Sequence, residues 1–164
     1  MNDRVVIATG NAGKLLDLFR ASKWPTFHIQ HISNYKGATF FLSDTRGAEL
    51  NPGIAPLQEE TIIQKHFPNS FRETVLLDAL KRADVEQLVV CGAMSHMCID
   101  ATTRAAFDLG FNCAVIQDAC ATRNLEFGGQ TIAADLVHGS FMAALGSVFA
   151  SVLSLHEYKG IGNK

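Results

Sequence analysis

Apolar positions along the chain recur with helical spacing in some stretches and run unbroken in others. Val5, Ala8, Ala12, Leu15, Leu16 and Phe19 fall three or four apart, which predicts a helix over 5–20, with Gly10 and Gly13 weakening it. Pro25 closes that segment, and 26–32 (TFHIQHI) has the composition of a strand. Residues 33–56 are rich in Gly, Pro and Asn and have little period, so they form a functional loop or a covering flap. A short strand over 60–64 then delivers Lys65 at its end. The stretch 72–83 is an amphipathic helix with Val75, Leu76, Leu77, Leu80 and Ala83 inward. Residues 88–92 (LVVCG) are continuously apolar, as in a strand buried on both faces. A helix over 95–109 follows, closed by Gly110 as the residue past its end, then a strand over 112–117. The remainder predicts a loop over 118–127, a long helix over 130–149 and a last strand over 152–155.

This alternation of strand and helix predicts a three-layer α/β/α, Rossmann-like fold with a largely parallel sheet. Ligands in such sheets sit at the carboxyl ends of the strands, where Lys65 and Cys98 both fall. The 164 residues fit one domain. The chain is 48% hydrophobic and 18% charged, a surplus of apolar residues that points to a homo-oligomer. A net charge of −2 without any run of like charges excludes a nucleic-acid binder. The longest uncharged run, 139–155, is short for a membrane span and contains Gly146 and several serines. No secretory signal is read over 1–20, so a cytoplasmic location is expected. Cys91, Cys98, Cys113 and Cys120 show no CxxC spacing and are expected as free thiols. His28 and His31 lie three apart in a strand and face opposite ways, so neither a metal site nor another cofactor is expected.

Residues 89–103 (VVCGAMSHMCIDATT) carry the chemistry. A buried strand stops at Gly92, a tight turn follows, and Cys98 lands near the start of a helix. The helix dipole there favours thiolate over thiol, and backbone N–H groups are at hand for the oxyanion formed when a thiolate attacks a carbonyl. Taken alone, a structural cysteine would explain the position as well.

The segment GAMSHMCIDAT resembles the nucleophile loop of the isochorismatase-like cysteine hydrolases, which include nicotinamidases and N-carbamoylsarcosine amidases. Further matches follow in order: 27–33 (FHIQHIS), 47–52 (GAELNP), 64–66 (QKH) with 67–71 (FPNSF), 104–111 (RAAFDLGF) and 116–123 (IQDACATR). The similarity covers roughly residues 11–155. It implies that Cys98 attacks a C–N carbonyl of a small amide or ureido compound and forms a thioester. It further implies that Lys65 supports the thiolate and that backbone N–H groups of Met94 and Cys98 form the oxyanion hole. In the family a non-proline cis peptide shapes that turn, which falls on Ala93–Met94 here. Phe67, Asn69, Phe71, His96 and Thr122 are the candidates for the substrate pocket, each with packing or loop-capping as the alternative, and Phe40 and Phe41 are placed to close it.

One family feature is missing. The third catalytic residue is an aspartate ending the first strand, in a motif such as D-x-Q-N-D, and no such motif occurs in this sequence. Two explanations stand. Either the single domain 1–164 is truncated at its N-terminus and the sheet lacks a central strand, or 5–8 (VVIA) is the first strand and Thr9 stands where the acid belongs. Asp3 and Asp44 are the other acids near those registers. Without the acid, a catalytically silent scaffold is the alternative function. The opening ATGNAGK also resembles the first loop of inosine-triphosphatase-like pyrophosphatases, but nothing downstream continues that match, and Ala8 and Leu15 break a phosphate-loop pattern.

Overall fold

The computed structural model describes residues 3–161. The chain runs α1 (Asp3–Ala21), β1 (Phe27–His31), β2 (Thr61–Lys65), α2 (Leu76–Arg82) and β3 (Gln87–Ala93). A π-turn (Ser95–Ile99) then leads into α3 (Asp100–Asp108) and β4 (Asn112–Ala121). A hairpin of β5 (Leu125–Phe127) and β6 (Gln130–Ile132), α4 (Ala134–Val148), β7 (Ser151–Leu153) and α5 (Leu155–Ile161) complete it.

The layers are written in β4, the middle strand of the parallel block β3–β4–β7. Its successive residues Val115 and Ile116 are both fully buried, and they point to opposite faces as neighbours in a strand must. Ile116 packs with Ala12 and Leu15 of α1 and Leu155 of α5. Val115 packs with Ile99 of the π-turn and with Met142 and Leu145 of α4. Helices therefore cover both faces of the strand, the expected three-layer α/β arrangement.

β1 and β2 form a second parallel block, with His31 opposite Lys65 at its carboxyl end. Among the described residues no ladder joins β1 to β3. The two blocks share a core instead: Ile63 of β2 packs with Leu76 and Leu80 of α2, and Leu88 of β3 and Phe111 lie against the same cluster.

Several boundaries differ from those the sequence predicts. Residues 5–8 lie within α1, so they are not a strand, and Gly10 and Gly13 are helical positions rather than a phosphate loop. Gly13 has a packing reason: a Cβ there would come within 3.2 Å of the Gly53 carbonyl oxygen, where a 3₁₀ turn (Pro52–Ile54) crosses the helix. α2 begins at Leu76 rather than at 72 because Glu73 takes a positive φ of 56°, incompatible with a first helical turn. β4 continues through the predicted loop to Ala121, and Gln130–Ile132 is a strand because Gly128 and Gly129 (φ 58° and 74°) turn a hairpin. The last strand ends at Leu153, and α5 follows it.

Candidate active site

β3 leaves the sheet through Gly92, whose φ of 128° only glycine adopts readily, and the Ala93–Met94 peptide is cis. The Met94 carbonyl then accepts the N–H of Met97 at 3.0 Å and of Ile99 at 3.3 Å, the second bond closing the π-turn. Cys98 stands on this turn, half-buried, at the carboxyl end of β3. Ser95, fully buried, fastens the turn from below. Its hydroxyl lies 3.3 Å from the Ala121 carbonyl at the end of β4 and 2.8 Å from His138 Nδ1 on α4. With the hydroxyl proton given to Ala121, His138 donates from Nδ1 to Ser95.

Lys65 ends β2 with only 3% of its surface exposed. Its ammonium donates to the Pro68 carbonyl, and among the described residues no carboxylate is within ion-pairing distance of it. The loop after it packs against α3: Thr102 Oγ1 donates to the same Pro68 carbonyl at 3.4 Å and lies 2.8 Å from the Ser70 hydroxyl. Thr102 sits four residues beyond Cys98, one helical turn along the same helical run. The Pro68 carbonyl and the Thr102 hydroxyl thus connect Lys65 to the segment that carries the nucleophile.

The candidate pocket residues divide. His96 Nδ1 pairs with the hydroxyl of buried Thr122, and the His96 ring meets Phe141 edge-on. Burial, and behind it the charge of Arg123, lowers the His96 pKa from its ordinary value. Phe67 carries the Arg72 guanidinium on its face, 3.6 Å from the ring centre. Asn69 and Phe71 serve the loop and the core: Asn69 Oδ1 accepts the Phe71 N–H, and the Phe71 ring stacks on Phe111. Phe41 leans on His31, with ring centres 5.4 Å apart, where its loop folds back to bridge Ser33 and Leu42. His31 is lowered by burial first, then by Lys65 and His66, and its Nδ1 is buried without a partner. His66 donates from Nδ1 to the Ile32 carbonyl.

Asp44 is exposed and bonds to Ser43, and the side chain of Asp3 lies outside the described residues. Thr9 is a helical residue of α1. Two open surface clefts lie at the amino ends of strands, one beside Phe27 and Thr61, the other beside Asn112 and Ser151, away from the nucleophile turn. Ser70 and His138 carry no local sequence signal for these roles, and for Ser95 and Thr102 the only one is the run of hydroxyl residues within 95–103.

A layered parallel fold thus carries a half-buried cysteine on the turn after β3 and a buried lysine at the carboxyl end of β2. The isochorismatase domain model matches residues 4–146, and the chain belongs to the isochorismatase family. It is 49% identical to the isochorismatase family protein YddQ of Bacillus subtilis, over 92% of this chain and 84% of that protein. An isochorismatase hydrolase structure from Oleispira antarctica superposes with a TM-score of 0.90 at 45% identity, over 94% of this chain and 82% of that one. Nicotinamidase 3 of Arabidopsis thaliana is 27% identical over 71% of this chain and 65% of that protein.

Proposed function

We propose that this isochorismatase-family protein hydrolyses a C–N bond, of amide or ureido type, in a small molecule through a thioester on Cys98. The carrying observation is the buried Lys65 ammonium, tied through Pro68 and Thr102 to the nucleophile's own helical segment. A buried cation with only a carbonyl for a partner is costly unless an anion comes to it. The thiolate and the tetrahedral oxyanion are such anions. The kinship with a nicotinamidase supports amide chemistry.

Cys98 Sγ attacks the carbonyl carbon, and the N–H groups of Met94 and Cys98 receive the oxyanion. The C–N bond then breaks, and the leaving nitrogen takes the proton the thiol gave up. Water cleaves the thioester, which releases the acid and restores the thiol. His96 and Thr122 flank the turn on one side and contact the substrate.

Ammonia release from a panel of primary amides and N-carbamoyl amino acids tests this. Wild type should turn over at least one of them. Cys98→Ser should remove activity by about 10⁴-fold or more, and Lys65→Met by about 10²–10³-fold. The second reading is a silent member that binds such a molecule without cleaving it, favoured because no described residue takes the place of the family's aspartate. Ligand-induced thermal stabilisation without ammonia release would establish that reading instead.

A further inference from the structure

Resting on the reading of Cys98 and Lys65 as a working pair, we infer that Thr102 is the residue that positions the two relative to each other. Neither is fixed to the other by backbone. Lys65 belongs to the β1–β2 block and Cys98 to the turn after β3, and no ladder joins those blocks among the described residues. The cross-links between the Lys65 loop and the nucleophile segment converge on the Thr102 hydroxyl.

Its geometry uses every bonding direction the hydroxyl has. Thr102 Oγ1 accepts the Ser70 N–H at 3.1 Å and the Ser70 hydroxyl at 2.8 Å, and gives its own proton to the Pro68 carbonyl. That carbonyl takes its second hydrogen bond from the Lys65 ammonium. Ser70 is buried, so water does not replace the clasp readily. Being four residues from Cys98, Thr102 projects from the same side of the helical segment as the nucleophile. A shift of Pro68 therefore moves the ammonium relative to the helical segment that carries Cys98. Valine has the same shape and no hydroxyl; serine has the hydroxyl and lacks the methyl. The two substitutions separate hydrogen bonding from packing.

The test is the rate of iodoacetamide alkylation at pH 7, followed by peptide mass spectrometry, in the intact protein. Thr102→Val should slow alkylation of Cys98 about tenfold, and Thr102→Ser should stay within about twofold of wild type. In a Lys65→Met background, Thr102→Val should add nothing, because Thr102 acts through Lys65. Ser70→Ala, in the same clasp, provides a second variant if Thr102→Val fails to fold by circular dichroism, and should slow alkylation about threefold. Slowing by Lys65→Met with Thr102→Val and Ser70→Ala both at the wild-type rate would overturn the positioning role alone. So would losses that multiply in the double variant. Should Lys65→Met leave alkylation of Cys98 unchanged, the Lys65–Cys98 pairing itself falls, and the role of Thr102 with it.

Discussion

Glu60 shows how much one side chain can organise. Arg20 of α1 grips its carboxylate with two hydrogen bonds of 2.7 Å, the Leu57 N–H donates at 2.8 Å, and His28 of β1 approaches at 2.9 Å. The Arg20 hydrogen bonds, opposed by burial and helped by the Leu57 N–H, hold the Glu60 carboxyl at about 2, below its ordinary 4.5. Because the folded value lies below the unfolded one, this carboxylate stabilises the fold fully above pH 4.5 and ceases to as the pH falls toward 2. Glu60→Gln should therefore lower the urea midpoint at neutral pH, and the gap from wild type should close across that acid range. A gap that stayed constant into acid would contradict the assignment. The placement of Cys98 after β3 and of Lys65 at the end of β2 is legible in the sequence because a contiguous motif and an ordered set of neighbours carry it. The fastenings around them are not. Ser70 meets Thr102 across 32 positions and Ser95 meets His138 across 43, and a hydroxyl acquires such a role only from a partner that local pattern does not reveal.

Elements buried on both faces, or on one clear stripe, could be placed to within a residue or two, since burial is what writes the period. β3 and the body of α3 are examples. Ends set by backbone conformation were harder. Gly128–Gly129 announces a hairpin, yet the apolar residues after it resemble the start of α4. α5 has a readable start too, a capping box in which Ser154 N–H meets Glu157 at 2.7 Å and Glu157 N–H meets the Ser154 hydroxyl at 3.2 Å. The apolar run 152–155 masks that start, because its composition is that of a strand. The end of α3 is the case where residue type and conformation agree. Gly110 has φ 92°, while Gly110 N–H returns to Phe107 at 2.9 Å and Phe111 N–H to Ala106 at 3.0 Å. No heavy atom lies within 4 Å of a Cβ added there, so Gly110→Ala is penalised by conformation alone. A loss of about 1–2 kcal/mol in urea unfolding is expected, and an unchanged midpoint would mean the turn relaxes to a negative φ.

At the scale of the molecule, two sheet blocks are united by helices and side chains. α1 packs on β4 while its Arg20 reaches Glu60, α2 rests on both blocks, and Thr102 draws the Lys65 loop onto α3. The same layering sorts the four thiols. Burial raises Cys91 to about 11, raises Cys120 further, and also raises Cys113, so all three stay protonated in the sheet layer. Cys98 alone is mounted outside that layer, on the turn after β3. The other three thiols, held protonated, are poorly suited to resolve its oxidation. Once peroxide converts Cys98 to a sulfenic acid, no internal thiolate is available to trap it as a disulfide, and further oxidation to the sulfinic acid proceeds unless a thiol arrives from solution. Peroxide-treated protein should gain its oxygen on the Cys98 peptide without any internal disulfide, and glutathione added beforehand should leave a mixed disulfide there instead. An internal disulfide to Cys91 in peptide maps would disprove this. The organisation that keeps three cysteines inert makes the protein dependent on its surroundings for recovery from oxidants.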